Sequence, residues 1–188
     1  MSHGVRQPER NFRRQASLLA LEAGPPAAGA AQATTGGRGN HNPSEVTRSV
    51  DVRATASHFR AALLQTPGLT LPALADFPNG SCGDASELLG QYLRDCGHGE
   101  WLLVSAARYD PEYRTHAWLT REDLILDITA DQFPEMHAYP VFMQQGSLWH
   151  AQWEIDWTAS PDIFRMHAFD EVDPAEDYRR LRARADSL

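Results

Sequence analysis

Downstream of about residue 50, the apolar positions fall into a succession of short periodic segments. Ala56, Phe59, Leu63 and Leu64 recur at helical spacing, which predicts a helix over Val52 to Gln65 with one apolar stripe. The cluster Phe77-Pro78-Asn79-Gly80-Ser81 reads as a turn, and Ser81 is suited to cap a following helix. That helix is expected from Cys82 to Asp95, with Ala85, Leu88, Leu89 and Tyr92 on one face and Gly97 as its left-handed stop. Trp101 to Ala107 has the length and apolarity of a strand. Two further strand-like segments, His116 to Thr120 and Asp123 to Thr129, are separated only by Arg121-Glu122, and Val141-Phe142-Met143 reads as another. Near the end, Asp173-Pro174-Ala175-Glu176 has the form of a helix start, with Asp173 as cap, Pro174 in the first position and Glu176 closing a capping box. Two helices, several strands and a last helix predict an α+β fold.

The periodic pattern is absent before residue 50. Gly24 to Asn42 is almost wholly Gly, Ala, Pro, Thr, Gln and Asn, with too little apolar surface to offset its chain entropy. Charge divides at the same place: residues 1–50 carry six Arg against three Glu, and residues 51–188 carry eleven Arg against 22 acidic residues. The expected organisation is a disordered, mildly basic tail over 1–50 and one acidic domain over 51–188. Arg13-Arg14 and the weakly apolar run from Ala16 to Ala31 have the outline of a twin-arginine export signal. Glu22 and Pro25-Pro26 interrupt that run, so a cytoplasmic location is the expectation.

Composition narrows the function. A net charge of −8 speaks against nucleic acid as the main partner. No stretch of 18 apolar residues occurs, so no membrane span is expected. All 17 basic residues are arginine, which removes lysine-based chemistry. The two cysteines, Cys82 and Cys96, do not make a disulfide scaffold, and Cys96 beside Gly97 reads as structural. Cys82, Cys96, His98 and His116 have no compact zinc spacing, so neither metal nor cofactor is expected.

Cys82, His116 and Asp127 stand out as a constellation. Cys82 falls in the first turn of its helix, where unpaired N–H groups and the positive end of the dipole favour a thiolate. If Arg121-Glu122 is a two-residue hairpin loop, Thr120 faces Asp123 and, further out, His116 faces Asp127 directly. Direct cross-strand neighbours have Cβ atoms about 4.5–5.5 Å apart, close enough for a carboxylate to hold an imidazole.

The stretches Phe77-Pro78-Asn79-Gly80-Ser81-Cys82-Gly83-Asp84-Ala85-Ser86, Thr115-His116-Ala117-Trp118-Leu119 and Leu126-Asp127-Ile128-Thr129 resemble the transglutaminase-like branch of the papain-like cysteine enzymes, in particular small bacterial proteins of that type. The resemblance covers roughly residues 75–150. It implies a papain-like core in which the cysteine-bearing helix packs on a small antiparallel sheet. It also implies Cys82 as nucleophile, His116 as general base and acid, and Asp127 as the orienting carboxylate. A peptide or protein amide would be the substrate, undergoing hydrolysis, deamidation or transglutaminase-type transfer. The Cys82 N–H would contribute to an oxyanion hole together with a side-chain donor, Asn79 or Gln132, and Trp118 would wall the groove. Asp131 competes with Asp127 for the orienting role. His137, His150 and His167 lie in or near the aromatic stretch from Tyr139 to Trp157, expected to form the second half of the core, with lining of the substrate groove by one edge as the alternative. Two alternatives stand beside the enzyme: a non-catalytic binding or regulatory module on the same fold, and a toxin-like effector with the same chemistry.

Overall fold

A computed structural model describes residues 43–167 and 172–188; the expected tail lies outside them except for its last residues. The first helix, α1, runs Pro43–Gln65 and so begins upstream of Val52, within positions assigned to the tail. It buries Val52, Ala56, Phe59, Ala62 and Leu63. Leu64, expected in the stripe, is 59% exposed, because it stands one helical step beyond the line of Val52, Ala56, Phe59 and Leu63. Helix α2 spans Cys82–Asp95 and buries the expected face. It ends in a Schellman motif at Gly97, whose φ is 79°. There the His98 N–H reaches the Leu93 carbonyl at 2.9 Å and the Gly97 N–H reaches that of Arg94 at 3.0 Å.

Five antiparallel strands follow: β1 (Leu102–Arg108), β2 (Arg114–Arg121), β3 (Leu124–Asp127), β4 (Phe142–Gln145) and β5 (Glu154–Ala159). Their order across the sheet is β4-β3-β2-β1-β5. The chain closes with the short α3 (Ile163–Met166) and with α4 (Pro174–Ala185). The class is α+β. Strand β5 and helix α3 were not expected. Glu154-Ile155-Asp156-Trp157 does alternate, but β5 is a largely exposed edge strand without a strong apolar signal.

Helix α4 keeps only half of its expected capping box. The Asp173 carboxylate accepts the Glu176 N–H at 2.9 Å, but the Asp173 N–H goes to Thr70 Oγ1 at 3.1 Å. The Glu176 carboxylate instead turns to Arg179. Ser81 precedes α2 as expected, yet its hydroxyl donates to the Pro78 carbonyl at 2.8 Å and does not cap the helix.

Alternation along β2 and β3 gives the sheet two buried faces. Leu103, Ala117, Leu119, Leu126 and Ile128 join the helices in the main core, while Val104, Ala106 and Trp118 pack on the other side with Phe133 and Trp153. The second face is covered by connecting chain with short 3-10 turns rather than by the long helices. Since β4 and β5 are opposite edges of the sheet, the segment joining them must cross its full width, and it carries Trp149, His150 and Trp153 over this face. Among the described residues no helix is long and apolar enough to cross a membrane.

The hairpin between β2 and β3 differs from the expected one. Arg121 pairs with Leu124, Thr120 with Ile125 and Leu119 with Leu126, so the loop residues are Glu122 and Asp123. Glu122 has a φ of 54°, the positive value a primed turn requires at its first loop position. Continued outward, this ladder puts Trp118 opposite Asp127 and leaves His116 one diagonal step away. The change is an even number of residues, so His116 and Asp127 stay on the same face.

Candidate active site

His116 and Asp127 meet despite the diagonal register. The imidazole Nε2–H donates to Asp127 Oδ2 at 2.7 Å, and both side chains are fully buried. Diagonal neighbours on one face lie about 7–8 Å apart at Cα, within reach of a long side chain. The other oxygen of Asp127, Oδ1, accepts the Thr129 N–H at 2.8 Å and the Thr129 hydroxyl at 3.0 Å. A second imidazole completes the set: His150 Nε2–H donates to the same Oδ2 at 3.2 Å. The carboxylate therefore accepts from four donors and has no freedom to rotate.

Charge follows from this arrangement. Burial alone would lower the His116 pKa, but the Asp127 carboxylate outweighs it and the Cys82 thiol adds to the effect, so the imidazolium persists up to about 10. Burial would raise the Asp127 carboxyl, and His116, then His150, overturn that and hold it well below the usual carboxylate range. The aromatic surround keeps water away: His116 packs edge-on to Phe133 at 5.0 Å, with Trp153 at 5.4 Å and Trp149 at 5.6 Å.

Cys82 is half-buried at the margin of the main core, in the first turn of α2. Because Ser81 spends its hydroxyl on Pro78, the first N–H groups of α2 have no side-chain cap. His116 Nδ1 is buried without a hydrogen-bond partner among the described residues. The Cys82 sulfur adds to the pull that keeps the ring protonated, without an aligned hydrogen bond to Nδ1. Asp127 occupies Nε2, so Nδ1 is the ring nitrogen left for the thiol. Cys96, by contrast, is exposed at the far end of α2, where partial burial raises its thiol above the usual range.

The remaining expected residues are placed differently. Trp118 is buried against the His150 ring at 4.9 Å and walls an open hollow of about 670 Å³ on the outer sheet face, together with Ile125, Ser147 and His150. The residues lining this hollow do not include Cys82. Asn79 is exposed and turns back to Asp76 at 3.5 Å. Gln132 braces the turn before Cys82 against the end of β3: its carbonyl accepts the Gly80 N–H at 3.3 Å and its amide donates to the Thr129 carbonyl at 2.9 Å. Its amide therefore points to backbone, away from an oxyanion role. Asp131 pairs with Arg60 at 2.7 Å and so does not orient His116.

Two contributors escaped the sequence reading. Arg60, on the buried side of α1, bonds the Ile128 carbonyl and Asp131 and lies 5.0 Å above the Phe77 ring. It thereby ties the turn before Cys82 to the turn after Asp127. An arginine within an apolar stripe was the available signal. His150 gave none, because only the crossing of the β4–β5 segment brings it to Asp127.

His116, Asp127 and His150 also present donor atoms within 4.8 Å of one another, a spacing a metal ion could use. Both Nε2 atoms already carry protons shared with Asp127 Oδ2, and an ion would have to displace them. The three side chains already form a hydrogen-bond network through Asp127 Oδ2. The comparisons with known proteins add no assignment: no family model matches this chain, and no curated protein or solved structure matches it.

Proposed function

We propose that this chain is a cysteine-dependent acyl-transfer enzyme acting on peptide or protein amides, built on a papain-like core of the transglutaminase-like type. Cys82 is the nucleophile, His116 the general base and acid, and Asp127 the carboxylate that orients it. One observation carries the reading: a fully buried His116–Asp127 pair at 2.7 Å whose other neighbour is a cysteine in the first turn of a helix.

In the reaction, His116 already holds its proton on Nδ1, the nitrogen that Asp127 leaves open, and Cys82 attacks as the thiolate. The thiolate adds to the amide carbonyl, and the developing oxyanion is met by the uncapped N–H groups that begin α2. Collapse breaks the C–N bond; the departing amine takes the proton from His116, and a thioester remains on Cys82. Water, deprotonated by His116, then attacks the thioester and releases the acid. An amine in place of water gives transfer instead. Hydrolysis is the reading we adopt, since water needs no second binding site.

The test is acylation by p-nitrophenyl acetate, followed by peptide mass spectrometry. An acetyl adduct is expected on Cys82, absent in Cys82→Ala and in His116→Gln while both retain a cooperative unfolding transition. Adduct formation that survives His116→Gln, or unfolding of the domain by Cys82→Ala, overturns the reading.

A further inference from the structure

Asp127 serves two imidazoles, and only one of them is placed toward the cysteine. His150 is 3% exposed, and its hydrogen bonding is complete with a single ring proton. Its Nε2–H donates to Asp127 Oδ2 at 3.2 Å, and its Nδ1 accepts from the Ser147 hydroxyl at 2.8 Å. The Ser147 oxygen also accepts the His150 backbone N–H at 3.2 Å, so one side chain holds both the ring and the backbone of His150. A histidine serving only as aromatic filler would need neither contact. Arg60 and Asp131, the other charged groups beside the carboxylate, bond each other and leave its oxygens to the imidazoles and Thr129.

His150 also stands between two environments. Its ring bonds the buried carboxylate, and the residue is among those lining the open hollow of about 670 Å³ on the outer sheet face. Removing it would take a donor from Oδ2 and admit water to a charge that acts on His116 through a dry interior.

We infer that His150 is a positioning residue of this site, holding the Asp127 carboxylate by its Nε2–H, and sealing it from the outer hollow, so that His116 stays paired and turned toward Cys82. The inference rests on the acyl-transfer reading and adds a residue that acts only through Asp127. Ser147 is the outer member of the same relay.

The experiment is the pH profile of iodoacetamide alkylation at Cys82 in the full chain, read by mass spectrometry for wild type, His150→Phe and His150→Gln. Phenylalanine fills the space without the donor, whereas glutamine keeps an N–H for Oδ2. Expected is a fall of about tenfold in the neutral-pH rate for His150→Phe, the change that one unit in a protonation equilibrium brings, with His150→Gln recovering most of it. A His150→Phe profile that superimposes on wild type overturns the inference, as does a His150→Gln profile as depressed as that of His150→Phe. Should His150→Phe fail to fold, Ser147→Ala reads the same relay: a lowered rate is expected, and an unchanged profile overturns it. Failure of the acyl-transfer reading is distinguishable, because Cys82 of the wild type would then show no enhanced reactivity at all.

Discussion

Leu119 pairs with Leu126 across the β2–β3 ladder, and that pairing sets His116 diagonal to Asp127 rather than opposite it. The imidazole spans the diagonal and is fixed at its far end by a buried carboxylate that Thr129 and His150 hold in place. Replacing Asp127 by Asn leaves a buried imidazole without its counter-charge. Breaking such a pair from one side costs about 3–5 kcal/mol. Urea denaturation at neutral pH should register that loss for Asp127→Asn, and a cost near zero would mean the pair is not the buried ion pair described here.

The same pair makes stability depend on pH with a definite sign. His116 is raised from 6.5 in the unfolded chain to about 10 in the folded one. Its contribution is complete below about 6.5 and is lost as the pH climbs through about 10. Asp127 is shifted downward, so its contribution is present above the ordinary carboxylate range and lost on acidification. Glu87, pushed up to about 7 by burial, acts in a lower window, so comparison with His116→Gln isolates the histidine. The thermal midpoint of wild type should fall between neutral pH and about 10 more steeply than that of His116→Gln. Parallel curves would contradict the assignment.

The elements were readable where local periodicity decides them. Cys82–Asp95 appears with its expected bounds because its apolar face, turn cluster and Gly97 stop all agree. Cys82, His116 and Asp127 could be singled out because side-chain type and face survive a register change of an even number of residues. The register itself could not be read. It depends on Glu122 accepting a left-handed backbone, a choice for which Arg121-Glu122-Asp123 carries no glycine or asparagine signal. His150 and the hollow beside it depend on a segment crossing the whole sheet, which is topology and leaves no local pattern.

Gly90 shows how tightly α2, the helix that carries Cys82, is seated. A Cβ added there would stand 2.4 Å from Pro161 Cγ and 2.7 Å from Pro161 Cβ. Neither the helix nor the proline ring can yield cheaply, and overpacking of this kind costs about 1–3 kcal/mol. Gly90→Ala should lower the urea midpoint by a matching amount, and Pro161→Ala in the same chain should recover part of it. Unchanged stability in Gly90→Ala would show that the two segments are not in contact.

Arg60 links the turns on either side of the site. Arg60→Met keeps the length of the stem but leaves the Ile128 carbonyl and Asp131 unpaired in a largely buried setting. Hydrogen bonds to charged groups contribute about 1.5–3 kcal/mol, and a loss of that order is expected in urea denaturation. Cys82 reactivity should fall along with it. A destabilised variant with fully retained reactivity would make Arg60 a purely structural residue.

The most direct test of a working Cys82–His116–Asp127 site is site-resolved alkylation by iodoacetamide as a function of pH, comparing the two cysteines of the native chain. Cys82 should be alkylated readily at neutral pH, well ahead of Cys96 and faster than in His116→Gln, as a cysteine activated by a neighbouring histidine is. Cys96, whose thiol is shifted upward, should become reactive only in alkaline solution. If Cys82 is inert in the folded protein, or follows the same alkaline course as Cys96, the site does not activate its cysteine and the chain is not the enzyme proposed.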